Sequence, residues 1–310
     1  MTQSEREALR NATVGDFDYE ALIECAELLA ANYRFLSFNY LGESVMGRGI
    51  PLFSLGEGQK EIYYIGAHHG AERITGALLI RFLAEFCALC ARDGQAFGIN
   101  LRYLLRSRTL YVLPVLNVDG AEIAAGKADR ASLFYPRLVK MNGGSEDFTH
   151  WQANARGVDL NHNYNAGFAE YKALEPSLGI EGGGPTRFAG LSPESEPETG
   201  ALCNFLRFNH PTALMTLHTQ GREIYHTSGG KCADGAAVAA SRLATLTGYR
   251  LAVPEGAAAY GGLTDYCVQG LNLPAFTVEC GKGENPLPPR DLPLLYGELR
   301  RALFLFPTMF

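Results

Sequence analysis

The chain has 310 residues, 47% of them hydrophobic, which is ample for a substantial core without disulfide staples, in one large α/β domain or two ordinary ones. A net charge of -6, with its basic residues scattered, leaves no cationic footprint for nucleic acid. An odd number of cysteines, seven, fits a reducing compartment. The polar amino terminus MTQSEREALRNATVGDFDYE lacks a signal peptide's apolar core, and no continuous run reaches the ~18 apolar residues of a membrane span, so a cytoplasmic chain without membrane association is expected.

In chain order, Phe17 to Tyr33 carries an amphipathic helical pattern. Two short strands follow near Leu36 to Tyr40 and Pro51 to Leu55, separated by the Gly-punctuated turn GESVMGRG. The run IYYIGAHHGAE, Ile62 to Glu72, then reads as a buried strand that breaks at Gly66 and leads to a helix from about Ile74 to Ala91. Cys87 and Cys90 form a CxxC within this helical pattern, and without a second such pair they read as core-facing thiols.

A second apolar strand, Thr109 to Leu116, breaks at Asn117 to Gly120, residue types that favour a tight turn. Ala121 to Arg156 shows little periodicity, and a segment of that length inside a domain is usually functional or mobile. RGVDLNHNYNAGF (Arg156 to Phe168) is dense in polar groups, EGGGPTRFAG reads as a flexible turn, and LSPESEPETGALCNFLRF opens a helix. A strand ending at His218, a helix near Asp234 to Thr247, a strand near Tyr249 to Ala252, the Gly-rich GAAAYGGLTDY, the buried strand PAFTVEC and a helix within Pro288 to Phe306 complete the chain. With no repeat or linker, this alternation predicts one mixed α/β domain over residues 1–310.

Three strand ends supply the polar groups of a site. His69 and Glu72, at i and i+3, can close on one ion. Two histidines and a glutamate with an open water position are an established zinc set. The plain alternative is a turn histidine and a helix-opening carboxylate that suits the dipole. His218 occupies the same strand-end position as His69, and Glu279 lies inside an apolar strand, where a lone carboxylate is costly without a partner or a task.

These residues resemble the M14 zinc carboxypeptidase family along nearly the whole chain, from LGESVMGRGIPLFSLG to FTVECGKGENPLP. The family's HxxE pair matches His69 and Glu72, its distant zinc histidine matches His218, and its GVDxNRN segment matches Gly157 to Asn163. Its strand-end turn matches Asn117 to Gly120, and its general base matches Glu279. The resemblance implies a twisted sheet of mixed parallel and antiparallel strands with helices on both faces. It also implies one zinc ion held by His69, Glu72 and His218, with Glu279 taking a proton from water and passing it to the leaving amine. Asp159 resembles the aspartate that orients a zinc-bound histidine. Arg156 is the expected oxyanion partner, with Gln152 competing for the role.

Two departures bear on the substrate. The family's carboxylate-binding Asn-Arg pair reads Asn161 and His162, so the forked guanidinium is missing at that position. The family's substrate-covering tyrosine is Ala257, with Tyr260 as a possible replacement. The side-chain selectivity position is Thr264, small and uncharged, while Gln220, Glu223 and Tyr225 are expected along the groove. The segments WQANARGVDLNHNY and ECGKGENPLP are most similar to the bacterial branch of γ-D-glutamyl-meso-diaminopimelate peptidases, which implies a muropeptide or similar short peptide as substrate. An N-acyl amino acid deacylase, an ordinary metallocarboxypeptidase and a peptide-binding module without activity are the alternative readings.

Overall fold

The computed structural model describes residues 17–92 and 94–310, together with Glu7, Leu9, Asn11 and Thr13. Asp18 accepts from the Ala21 amide at 2.8 Å and so caps the helix Tyr19–Asn32, which buries Leu22, Cys25, Ala26 and Leu29. Strands β1 (Leu36–Glu43), β2 (Gly49–Leu55) and β3 (Lys60–Ile65) follow. The helix Arg73–Arg92 comes next, with Cys87 and Cys90 buried in the core as free thiols. By length and composition the segment Gly70–Arg92 could cross a membrane, a possibility that a search for unbroken apolar runs overlooks. In the fold 67% of its apolar window is buried against the rest of the chain, as in a core helix.

A two-stranded hairpin of β4 (Gln95–Ala96) and β5 (Ile99–Asn100) leads through the helix Leu101–Ser107 to β6 (Arg108–Leu113). The later strands are β7 (Pro211–His218), β8 (Glu223–Tyr225), β9 (Arg250–Leu251) and β10 (Ala275–Glu279). Eight strands form one mixed sheet in the order β1-β2-β6-β3-β7-β10-β8-β9. The inner four, β6, β3, β7 and β10, run parallel; β1 with β2, β2 with β6 and β10 with β8 are antiparallel, and the edge strand β9 lies parallel to β8. This is the mixed sheet that the sequence predicts, flanked by helices such as Arg73–Arg92, Pro197–Phe208 and Leu292–Leu305. Unbroken burial along Ile62 to Ile65 and Ala213 to His218 is what parallel strands covered on both faces require.

Three expectations about local structure change. Asn117 to Gly120 is more than a strand-ending turn: Asn117 Oδ1 accepts from the Gly120 amide at 2.9 Å and caps the helix Val118–Ala124. The weakly periodic segment after it contains a second helix, Tyr135–Met141. A small separate core of Ile123, Ala124, Leu138, Phe148, Trp151 and Ala153 lies under it. The Gly-rich GAAAYGGLTDY likewise opens the helix Leu263–Leu271. Helices of seven to nine residues span only about two turns, too few for a periodic signal to stand out.

Candidate metal centre and active site

Strand register brings the reacting groups to one edge. In the parallel pair β7 and β10, Glu279 stands opposite His218, so both side chains leave the sheet on the same face. β3 pairs with β7 through Ile65 opposite Thr216, which delivers the loop after Ile65 to that edge. Its backbone passes close to two others: a Cβ at Gly70 would stand 2.2 Å from the Gly120 carbonyl oxygen, so only glycine fits. Asn117 closes the junction, its Nδ2 donating to the carbonyls of His68 and Gln152, both at 3.0 Å.

In this frame His69 Nδ1 lies 2.9 Å from Glu72 Oε1 and His218 Nδ1 lies 3.1 Å from Glu72 Oε2. Ligand atoms of all three residues fall within 4.8 Å of one another. Glu72 Oε2 is buried and lacks a hydrogen-bond partner despite its closeness to His218, as is His218 Nε2. Two imidazole nitrogens and an unsatisfied carboxylate oxygen facing one point form the donor set of a zinc site, and the residues fit the ion. Burial alone would raise Glu72, but the adjoining histidines outweigh it and hold the carboxyl below its ordinary range, in the form that ligates.

Asp159 Oδ1 lies 3.2 Å from His69 Nε2, so the far nitrogen of His69 meets a carboxylate and Nδ1 is left facing the metal point. Asp159 is itself held by the Asn161 amide at 3.2 Å and the Arg187 amide at 2.9 Å. His68, next to a metal-site residue in sequence, does not turn to the opposite face. Instead it is fully buried beneath the site, its Nε2 3.0 Å from Tyr164 Oη and its ring stacked 5.2 Å from the ring of His218.

The metal point opens onto a cavity of about 240 Å³ lined by Glu279, Gln152, Asn161, His162, Thr264 and Arg187, among others. Burial and then the negative charge of Glu72 push Glu279 up to about 8 in the metal-free protein. Gln152 Oε1 accepts from Thr186 Oγ1, which leaves its Nε2 as the group it can offer to the cavity. Asn161 Oδ1 accepts from the Leu263 amide at 3.1 Å, so its Nδ2 is likewise the free end.

The geometry separates the expected site residues into two groups. His69, Glu72 and His218 converge, and Glu279, Asp159, Asn161, His162, Thr264 and Tyr225 line the same cavity. Arg156 does not line it. Its half-exposed side chain points to Glu196 at 3.5 Å, because the turn at Asn154 to Gly157 aims it away, and Gln152 holds the place expected of it. Gln220 is exposed, and Tyr260 packs over Gly167 while its carbonyl faces His162, so neither side chain is part of the lining. The residues that sequence reasoning missed are Thr186, Arg187, Thr227 and Thr277 in the lining. Asn285 was also missed, and its Nδ2 lies 3.4 Å from Glu72 Oε1. The one available signal was an isolated arginine at the end of the Gly-rich EGGGPTRFAG.

The zinc carboxypeptidase family model matches residues 22–298. Gamma-D-glutamyl-L-diamino acid endopeptidase 1 of Lysinibacillus sphaericus is 28% identical over 283 residues, covering 91% of this chain and 70% of the relative. The protein YqgT of Bacillus subtilis is 30% identical over 282 residues, covering 88% of this chain and 73% of the relative. Among solved structures, thrombin activatable fibrinolysis inhibitor superposes with a TM-score of 0.71 at 18% identity, over 98% of this chain and 80% of that one, which shows the shared fold. The chain belongs to the zinc carboxypeptidase family and is a zinc metallopeptidase.

Proposed function

We propose that this peptidase cleaves the bond between γ-D-glutamate and diaminopimelate in cell-wall muropeptides, or the equivalent bond in a similar short peptide. The observation that carries the peptidase chemistry is the convergence of His69, Glu72 and His218 beside Glu279 in one cavity. Likeness to the Lysinibacillus endopeptidase, whose name gives a γ-D-glutamyl-L-diamino acid bond, supports the choice of bond. A cavity of about 240 Å³ suits one residue beyond the scissile bond, and the hydroxyls of Thr264 and Thr277, 2.7 Å apart, suit a polar side chain there.

Zinc, when bound, supplies a Lewis acid that polarises the carbonyl and makes water acidic enough to attack near neutral pH. Glu279 accepts the proton that this water loses and delivers it to the leaving nitrogen. Burial raises its basicity, and bound zinc would pull the other way. Gln152 Nε2 is the donor that the chain can direct at the carbonyl oxygen as charge builds on it. Asp159 keeps His69 in one tautomer throughout.

The test is mass spectrometry of digests by the zinc-loaded protein, comparing L-Ala-γ-D-Glu-diaminopimelate with peptides of ordinary α-linked carboxyl termini. Release of free diaminopimelate from the first, with the second left intact, is the expected result. Faster cleavage of ordinary carboxyl-terminal residues would replace this reading with a general carboxypeptidase.

A further inference from the structure

We infer that Arg187 is the group that anchors a substrate carboxylate in this enzyme, taking the place that the sequence leaves without a guanidinium at His162. The inference rests on the peptidase reading above. Arg187 is the one arginine or lysine among the described residues lining the cavity. Other arginines are committed to carboxylates: Arg48 to Asp119 at 2.7 Å, Arg156 to Glu196 at 3.5 Å, Arg207 to Glu194 at 2.8 Å, and Arg222 to Glu298. Among the described residues no acidic side chain pairs with Arg187, and it is exposed to whatever enters. An uncommitted guanidinium at the rim of a cavity otherwise supplied with carboxylates, Asp159, Asp265 and Glu279, is a ready fork for a carboxylate ligand.

His162 is occupied elsewhere. Its ring stacks on Tyr171 with centroids 3.9 Å apart and planes 17° apart. Its Nδ1 lies 2.9 Å from the Tyr260 carbonyl oxygen, an acceptor only, so Nδ1 carries the hydrogen and donates it there. In the neutral ring the remaining nitrogen, Nε2, is then an acceptor and offers nothing to a carboxylate.

The backbone of Arg187 is held in place for this task. Its φ of +68° lies in the left-handed region, unusual and costly for a side-chain-bearing residue unless its surroundings enforce it. They do so from both sides. Its amide donates to Asp159 Oδ2 at 2.9 Å and its carbonyl accepts from Tyr171 Oη at 2.7 Å. The residue is thereby tied to the aspartate that orients His69 and to the tyrosine that holds His162. A fixed stem beside the reacting groups, with the charged end free, is the arrangement a positioning cation needs.

L-Ala-γ-D-Glu-diaminopimelate presents three carboxylates, the glutamate α-carboxylate beside the γ-bond and the two of diaminopimelate, one next to the acylated nitrogen and one at its far end. Binding of uncleaved peptide to the zinc-loaded Glu279→Gln protein separates them by calorimetry. The probes are L-Ala-γ-D-Glu-diaminopimelate, its three forms amidated singly at the glutamate α-carboxylate or at one or the other diaminopimelate carboxylate, and acetyl-dialanine as acid and amide. Adding Arg187→Gln is expected to weaken the binding of the acids about 10- to 100-fold, as for loss of a charge-assisted pair. The amidated form that has already lost the relevant carboxylate should change less than about twofold, which identifies the source. Arg187→Lys, which keeps the charge without the fork, should recover part of the loss and guards against a folding defect. Equal weakening of acids and amides, or no weakening of either, overturns the inference. If the zinc-loaded parent cleaves none of the probes, the peptidase reading fails on its own account, while the preference for acid over amide and its dependence on Arg187 still decide this one.

Discussion

His69, Glu72, His218 and Glu279 sit at or just beyond the carboxyl ends of three neighbouring parallel strands. Gln152, Asp159, Asn161, His162 and Arg187 come instead from the strandless run between the helices Tyr135–Met141 and Pro197–Phe208, whose helices are the short Leu160–His162, Phe168–Leu174 and Glu175–Leu178. The first group is placed by backbone ladders, with Glu279 opposite His218 in register. The second is placed by side chains bonding to backbone: Asp159 to the Arg187 amide, Asn163 to the carbonyls of Ala189 and Ser192, and Glu175 to the Ala189 amide. Chemistry therefore rests on the more cooperative part of the fold. Substrate contacts, together with the Gln152 donor and the aspartate beside His69, rest on a network in which each residue holds its neighbour, so exchanging a member other than Asp159 should leave the metal ligands in place.

The largest effect should come from the strand half. His218→Ala removes one of three ligands, and zinc content and peptide hydrolysis should both fall to background. Chelation of the parent should do the same, reversibly on adding zinc; metal analysis beside an activity assay checks both. Glu279→Gln should instead keep its zinc and lose about 10²- to 10⁴-fold in kcat, so that metal binding and proton transfer come apart. Normal turnover in that variant would remove Glu279 from the mechanism.

The loop half should give graded losses. Gln152→Ala should lower kcat by about 10²-fold with little change in zinc content, if its Nε2 is the donor to the developing oxyanion. Asp159→Asn should weaken zinc binding by about 10- to 100-fold, read by competition with a chelating dye. The comparison would fail if Gln152→Ala emptied the metal site as fully as His218→Ala.

A smaller effect is a pH slope in the metal-free protein. Glu279 has its folded pKa raised to about 8, so its neutral form is favoured by folding. Its contribution to stability is present below the unfolded glutamate value of ~4.3 and is lost as pH rises through about 8. Thermal unfolding of the metal-free parent should therefore fall relative to Glu279→Gln between pH 5 and 8, and zinc should flatten the difference because a dication favours the ionised form. The smallest effect belongs to Arg156→Ala. Its half-exposed contact with Glu196 is worth ~0–1 kcal/mol, and kcat/KM should move less than about twofold.

The strand half was legible because its signals are local. An apolar run ending in polar groups marks β3, β7 and β10, and residues three apart announce His69 and Glu72 as a pair. The loop half was half legible: the GVDLNHN segment stood out, and Asp159, Asn161 and His162 did line the cavity. Arg187 stayed hidden because nothing in EGGGPTRFAG says which way its chain turns. That direction is set by Asp159, 28 positions earlier, and by Tyr171, 16 positions earlier. Arg156 misled for the converse reason, since an arginine beside a recognised segment was expected to face the site and the turn at Asn154 aimed it at Glu196.

Sequence alone determined the main strands and longer helices, which strand ends carry chemistry, and that two histidines and a glutamate can share an ion, because burial, periodicity and ligand type are properties of short stretches. Tertiary structure alone decided which cation lines the cavity, that an amide rather than Arg156 lines it beside the metal point, and that Asn117 joins three backbones. Those outcomes depend on side chains meeting backbone groups dozens of residues away, and no local pattern encodes such meetings.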